Sequence, residues 1–431
     1  MLLRGSNSQR EICSVDYGDK YRLILIITYS PFLSIYEMKA VGLYRYLPIE
    51  DPQSLVDLDI PQPNHPASGH DLLVAIKAIS VNPVDTKVRR GLIPSPSSIT
   101  QQNEKNAPRI LGCDAAGQVI EAGSDCNLFE KGDAVYYAGS ISRPLGTNCE
   151  FHLVDERIVG RKPKSLSFEE AAAMPLTTIT AWEALYDRLS LYPDVVRGKT
   201  AANSQPRMPT LAPDINNNRL NDHQSSILII GGAGGVGSIA VQLAKNLVNQ
   251  KSFLLSSSIA SSSFTGINVI TTASRAESVE WCKRMGADYV VNHHKDLKSQ
   301  IKEVIGIDYV DYILCLNETD GHFENMKQLV APQGKICSIV ETKAPVDLGG
   351  VLRQKSATFV WELMFTRSLF QTPDMISQHH LLNTVADLID NSKIKSTLTN
   401  VLSPINAENL RKAHRQLESG RTIGKIVLSG F

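Results

Sequence analysis

The rhythm of apolar and polar positions changes along the chain, and the change divides it. Between residues 38 and about 163 the apolar residues fall in short runs, at 38–43, 71–78, 117–123 and 133–137. Turn residues bound them: Asn64, Pro66, Ser68 and Gly69 in one place, Glu130-Lys131-Gly132-Asp133 in another. Short runs so punctuated predict strands of a compact β-rich domain with little helical periodicity. The first clear helix signal is Ser167 with Glu170 three residues on, a capping-box pattern ahead of Ala171-Ala172-Ala173-Met174.

A second rhythm begins at Ile227-Leu228-Ile229-Ile230, four consecutive apolar residues that predict a strand buried on both faces. Gly231-Gly232-Ala233-Gly234-Gly235-Val236-Gly237 follows, and apolar Val236, Ala240, Leu243 and Leu247 then recur at helical spacing. Gly232, Gly234 and Gly237 make the spacing GxGxxG between a strand and a helix, the context in which it binds a dinucleotide. Glycines there permit a tight turn, admit a pyrophosphate against bare backbone and let the helix pack closely on the sheet. Strands are expected at 268–272, 289–291, 310–315, 335–340 and 357–360, and helices at 276–285, 297–305 and 321–330. That alternation predicts a doubly wound parallel sheet. Two more helices, 374–391 and 407–419, precede a strand at 424–428 that returns to the first domain.

The punctuation also marks what lies outside these domains. Residues 193–225 are polar and proline-interrupted, and 249–266 carry two serine triplets; both read as surface insertions. Residues 1–37 read as a poorly ordered extension. The apolar run 23–27 meets Pro31, and Glu11, Asp16 and Asp19 suit neither a secretory nor a mitochondrial leader. The expected division is 1–37, then 38–175 together with 361–431, with 176–360 between them.

Composition narrows the function classes. A chain of 431 residues has room for two cores. Lys+Arg and Asp+Glu stand at 44 each, which excludes a nucleic-acid binder held by bulk charge. Seven scattered cysteines without a CxxC pair suit the reduced thiols of a cytoplasmic protein, and no stretch is long enough to span a bilayer.

Four segments carry a family resemblance: Asn82-Pro83-Val84-Asp85-Thr86-Lys87-Val88-Arg89, the glycine stretch, Trp361-Glu362-Leu363-Met364-Phe365-Thr366-Arg367-Ser368, and Gly424-Lys425-Ile426-Val427. With the order of domains, they resemble the medium-chain dehydrogenase/reductase superfamily. Within its quinone oxidoreductase branch they are most similar to the zinc-type alcohol dehydrogenase-like proteins. The resemblance implies a GroES-like β-rich catalytic domain and a Rossmann nucleotide-binding domain. It also implies a small-molecule substrate and a possible homodimer through the edge of the nucleotide sheet, while the balanced charge and the lack of a spanning stretch argue against a nucleic-acid or membrane partner.

Zinc alcohol dehydrogenases take catalytic zinc through a Cys in the first segment, a His in Gly-His-Glu and a third ligand near the domain junction. Here those places read Asn82-Pro83-Val84-Asp85, Gly112-Cys113-Asp114 and Ala173-Met174-Pro175-Leu176. Three protein ligands are needed, and Cys113 with Asp114 does not supply them, so no metal is expected. Cys113 reads more simply as a small buried residue under a turn.

The cofactor follows from the end of the second nucleotide-sheet strand, Thr271-Thr272-Ala273-Ser274-Arg275. A carboxylate there would favour NAD, whereas its absence and the Arg275 fork favour NADP(H). The other reading makes Arg275 a solvated helix-start residue behind Ser274 as N-cap. The resemblance assigns Gly232, Ala233, Gly234, Gly235, Val236, Gly237, Ser274, Arg275, Asn317 and Lys425 to the cofactor.

On the catalytic side it puts Asn82 beside the nicotinamide and the substrate carbonyl, where an amide donates without titrating. Lys87 is either a proton donor or a surface lysine. Thr180 either reaches the carboxamide or simply starts a helix. Tyr136 and Tyr137 are alternative phenol donors, or packing. Asp85 is expected to brace its own loop. The pairs His293-His294 and His379-His380 should point apart as solvated or capping groups. The expected activity is zinc-independent, NADPH-dependent reduction of quinones or α,β-unsaturated carbonyls. Its rivals are a zinc-containing alcohol dehydrogenase and an NADPH-binding sensor without turnover.

Overall fold

The computed structural model describes residues 10–17, 21–28, 36–63, 69–93, 107–141, 143, 145–191, 224–249 and 266–431, with 10–17, 21–28 and 247–249 as backbone only. The expected insertions at 193–225 and 249–266 lie outside these residues except at their edges, as does the turn at 64–68. In the expected extension, Arg10–Tyr17 and Tyr21–Thr28 pair antiparallel as a two-stranded sheet of their own.

The nucleotide sheet has six parallel strands in the order Tyr289–Val291, Ile267–Thr272, Ser225–Ile230, Val310–Cys315, Val330–Ser338 and Thr358–Trp361. Chain order runs outward from Ser225–Ile230 in both directions, so a crevice opens at the carboxyl ends of the strands beside this central one. Leu228 pairs with Ile270 on one side and Ile313 on the other. The apolar run at its centre is buried on both faces, as expected. Ile227 and Ile229 join one cluster with Val269 and Leu314, and Leu228 and Ile230 join another with Ile270 and Ile313. Full burial of such a side chain contributes roughly 1.5–3 kcal/mol.

The catalytic sheet runs Val159–Arg161, Ala134–Ala138, Asp114–Ala122, Asp71–Ser80, Lys425–Ser429, Leu398–Leu402, and Phe151–Asp155 also pairs with Asp71–Ser80. The C-terminal strand therefore returns to the first domain, where Val427 lies opposite Ser80 and Ser80 opposite Asp114. A smaller sheet, Val56–Pro61, Glu37–Leu43 and Arg109–Ile110, covers one end.

One local expectation fails in the catalytic domain. The segment after Asn82 is a helix, Pro83–Arg89, inside a stretch where no helix was expected. Two turns are too short for periodicity to register, although Asn at the N-cap, Pro next and Asp two residues further are ordinary start signals. At the junction, Pro175–Trp182 runs on into a π-helical segment, Glu183–Arg188, in which Leu189 N–H donates to Ala184 O at 2.9 Å.

Candidate active site

Strand Asp71–Ser80 delivers Asn82 to the start of the short helix in extended conformation, φ −130° and ψ 157°. Asp85 Oδ2 accepts the Asn82 N–H at 2.7 Å, and Asp85 N–H donates to Asn82 O at 3.0 Å, so Asp85 braces its own loop. Its other oxygen accepts the Cys113 thiol at 3.6 Å. Burial pushes the Asp85 carboxyl up to about 7, against the opposing pull of the Asn82 N–H and the Lys425 charge. Burial first, and then the Asp85 charge, holds the Cys113 thiol well above its ordinary range. Cys113 is the small buried residue the sequence suggested.

Asp114 opens the adjacent strand and gathers donors from both domains. Its Oδ2 accepts from Ser80 Oγ at 2.7 Å, Asn82 Nδ2 at 2.8 Å and Lys425 Nζ at 3.0 Å, and its Oδ1 from Leu176 N–H at 2.7 Å. Lys425 Nζ also donates to Val81 O at 3.0 Å and to Asn82 Oδ1. Asn82, Asp114 and Lys425 are 1%, 0% and 4% exposed. A buried ion pair is tolerable when its remaining donors and acceptors are satisfied, and the ammonium has a partner for each of its three N–H bonds.

The same lysine touches the glycine turn. Gly424 N–H donates to Ala233 O at 2.9 Å, and a Cβ on Gly235 would lie 2.9 Å from both Lys425 Cδ and Thr177 Cγ2. Gly231 takes φ +93°, a left-handed conformation that favours glycine. A Cβ on Gly232 would strike Thr271 Oγ1 at 1.7 Å, and one on Gly237 would meet Gly231 O at 2.4 Å. At Gly234 a Cβ would find only Gly231 O, at 3.7 Å, which leaves bare backbone toward open space. Ala233 and Val236 are partly buried against the core below. Asn317, exposed on the neighbouring loop, has its Cβ 3.7 Å from a Cβ built on Gly231. Close packing beneath Gly232 and Gly237 and open space over Gly234 fit a dinucleotide pyrophosphate.

The remaining expected residues fare unequally. Arg275 sits at the end of the second strand and donates to Ser278 Oγ at 3.1 Å and Arg421 O at 2.8 Å. It occupies the N-cap position of Ala276–Arg284 itself, so Ser274 is not that helix's N-cap. Thr180 is buried and spends its hydroxyl on Leu176 O at 2.8 Å. Lys87 is exposed on the short helix and is not brought into the Asn82 cluster. Tyr136 and Tyr137 are fully buried; Tyr136 Oη donates to Leu382 O at 2.7 Å and Tyr137 Oη lies 3.1 Å from His152 Nδ1. Both are packing residues whose hydroxyls are held well above their ordinary range by burial.

The histidine pairs depart from expectation only in part, since His294 and His380 are exposed as solvated groups should be. The His293 and His294 rings lie side by side, centroids 4.2 Å apart, rather than pointing apart. His379 is buried, with Nδ1 2.7 Å from Val159 O and Nε2 2.9 Å from Asn383 Nδ2.

Two features were missed in the sequence. Asp114 as the hub of the cluster is one; its signal was a lone charge in the otherwise small, apolar run Cys113-Asp114-Ala115-Ala116-Gly117. The other is the use of Glu362 and Arg367. Arg188 Nε donates to Glu362 at 2.7 Å, and Arg367 pairs with Glu183, Asp187 and Asp374. Gln378 Nε2 adds a bond to Glu183 at 3.0 Å. This clamp ties the π-helical junction to the segment after the last nucleotide-sheet strand.

Fold and crevice together define a two-domain, pyridine-nucleotide-binding dehydrogenase. Residues 68–175 match the family model of the alcohol dehydrogenase GroES-like domain, and 285–428 that of zinc-binding dehydrogenases. A zinc-type alcohol dehydrogenase-like protein of Staphylococcus aureus (strain COL) is 41% identical over 359 residues, 83% of this chain and 90% of that one. A crystal structure of a candidate zinc-dependent alcohol dehydrogenase from Rhizobium etli CFN 42 is 45% identical. It superposes with a TM-score of 0.75, covering 92% of this chain and 99% of the other. The quinone oxidoreductase of Coxiella burnetii follows at 25% identity and TM-score 0.66, covering 92% and 100%. The tomato (Solanum lycopersicum) 2-methylene-furan-3-one reductase is 26% identical over 362 residues, 83% of this chain and 71% of that one. The chain belongs to the zinc-type alcohol dehydrogenase-like family of the medium-chain dehydrogenase/reductase superfamily.

The family name implies zinc, and the residues here do not fit it. Asn82 is a poor ligand, Cys113 is held as a thiol against Asp85, and the Lys425 ammonium lies between Asn82 and Asp114. Among the described residues no three His, Cys, Asp or Glu side chains are grouped to hold an ion. No helix among them is long and apolar enough to cross a membrane.

Proposed function

We propose that this protein is an NADPH-dependent reductase of quinones or α,β-unsaturated carbonyls that works without a metal. The observation that carries the reading is the buried Asn82–Asp114–Lys425 cluster, which supplies a fixed amide donor where a zinc enzyme needs ligands. The tomato reductase supports the substrate class, because its named substrate is a ketone with an adjacent methylene. NADPH, when bound, supplies a hydride to an electron-poor carbon. The chain's own part is to hold the acceptor and to stabilise charge on its oxygen. Asn82 Nδ2 has one N–H on Asp114, and among the described residues its second has no partner. That N–H is a donor for the oxygen of a developing enolate, and such a donor is worth about 10²–10³ in rate. Arg275 favours the 2′-phosphate of NADPH over the diol of NADH through a bidentate charge-assisted contact.

The experiment is loss of reduced-nicotinamide absorbance with a panel of quinones and enones, using NADPH and NADH with and without a chelator. Turnover with NADPH that survives chelation is expected. Loss on chelation with restoration by zinc would make this a zinc alcohol dehydrogenase. Tight NADPH binding with no consumption on any acceptor would make it a sensor. Arg275→Ala should weaken NADPH binding by about 10–100-fold, the worth of a hydrogen bond to a charged group, and leave NADH binding unchanged.

A homodimer through the sheet edge is part of the same reading. Strand Thr358–Trp361 is the last in its sheet, and Trp361 at its end and Leu363 just after it are 44% and 50% exposed. Sedimentation velocity of the protein and of Trp361→Glu tests it, with the variant expected as a monomer.

A further inference from the structure

We propose that Lys425 and Asp114 are positioning residues, which fix the Asn82 amide in one orientation and polarise it toward the substrate oxygen. The inference deepens the reductase reading and rests on it for its catalytic consequence.

The orientation follows from hydrogen-bond chemistry alone. Lys425 has only donors and Asp114, as a carboxylate, only acceptors, so the amide oxygen must face Nζ and the amide nitrogen must face Oδ2. The 2.8 Å contact from Asn82 Nδ2 to Asp114 and the contact from Lys425 to Asn82 Oδ1 have that arrangement. A flipped amide would set N–H against ammonium and carbonyl against carboxylate in a site 1% exposed. The second N–H is thereby committed to one direction. A cation on the amide oxygen draws electron density from the nitrogen and strengthens that N–H as a donor, an effect that grows in a low-dielectric site.

The pieces come from three places in the chain. Asn82 follows one strand, Asp114 opens its neighbour, and Lys425 opens the C-terminal strand while its stem lies against the glycine turn at Gly235. Ser80 and the Leu176 N–H hold the carboxylate from the other sides, at 2.7 Å each. The charged head is fully used within the protein, so Lys425 acts through Asn82 and not by donating to substrate itself.

The test is a double-mutant cycle on the full-length protein with Asn82→Ala, Lys425→Met and both together. The readouts are kcat with the best acceptor of the panel and, separately, the NADPH dissociation constant. Lys425→Met should lower kcat by about 10²-fold, near the worth of a single oxyanion donor, and should shift NADPH binding far less. Adding Lys425→Met to Asn82→Ala should change kcat little, because without the amide there is nothing left to orient. Full additivity of the two losses would overturn the proposal and reduce Lys425 to a structural residue.

Lys425→Met alone strands a buried carboxylate. The neutral pair Lys425→Met/Asp114→Asn is therefore measured beside it and should show the same loss of kcat while folding. Should the wild type turn over no acceptor, the reductase reading fails and the positioning claim is decided by a crystal structure of the neutral pair. Displacement of Asn82 from its wild-type rotamer upholds it, and an unmoved Asn82 refutes it.

Discussion

Asp85 offers a measurable link between burial, pH and the loop that carries Asn82. Its carboxyl is 3% exposed and titrates near 7 in the folded protein against 3.8 in its ordinary state, mainly because burial penalises the anion. Between those values the folded protein holds a proton that the unfolded chain has released. Each pH unit across that interval costs about 1.4 kcal/mol of stability. The stability is therefore complete below pH 3.8, falls as pH rises, and has lost about 4 kcal/mol once pH passes 7. Asp85→Asn removes the titration and keeps an amide oxygen to accept the Asn82 N–H, while its nitrogen meets the weak acceptor Cys113 Sγ.

Urea unfolding of both proteins at several pH values isolates the effect, because the other titrating groups cancel in the difference. The stability of Asp85→Asn relative to wild type should climb with pH between about 4 and 7 and level off above. A protonated-carboxyl infrared band, absent from the variant, should persist through the acid range and fade around pH 7, where the folded carboxyl gives up its proton. A difference that stays flat from acid to neutral pH, with no such band, would refute the assignment of burial as the dominant cause.

Other perturbations read other contacts. Gly232→Ala drives a methyl to 1.7 Å from Thr271 Oγ1, whose hydroxyl is bonded to Ile229 O at 2.9 Å. Overpacking and the broken bond should together cost about 2–5 kcal/mol and abolish pyridine-nucleotide binding, seen by calorimetric melting and nucleotide fluorescence titration. Burial and the neighbouring Glu183 carboxylate push Glu362 well above the usual carboxylate range. That contribution is complete below the ordinary carboxylate value and is lost progressively as pH rises from there to the raised value, so Glu362→Gln should flatten the fall in Tm across that span. Tyr136→Phe deletes only the bond to Leu382 O and should cost about 1 kcal/mol in unfolding experiments, with kcat unaltered. A large drop in kcat would restore it as a proton donor.

Local pattern carried the nucleotide domain well. Strands Tyr289–Val291 and Val310–Cys315 and the helix Leu297–Ile305 lie at the expected positions, because a run buried on both faces and a turn of glycines announce themselves in sequence. The Ser167 cap is likewise a contact between near neighbours, with Glu170 N–H donating to Ser167 Oγ at 3.1 Å.

Asn82 and Lys425 stood in recognisable motifs, but their mutual contact did not, since 343 positions separate them. Sequence spacing says nothing of which charge will meet which across a sheet; strand order and register decide that. Only the return of Lys425–Ser429 beside Asp71–Ser80 brings an ammonium, an amide and the Asp114 carboxylate into one buried cluster. The same holds for the junction clamp of Glu183, Arg188, Glu362 and Arg367, and for His379 drawn inward to Val159 O. Residue types and local periodicity determined which elements form and where a dinucleotide can rest. Tertiary packing decided which polar groups lose water together, and that loss sets their protonation, their orientation and the chemistry open to them.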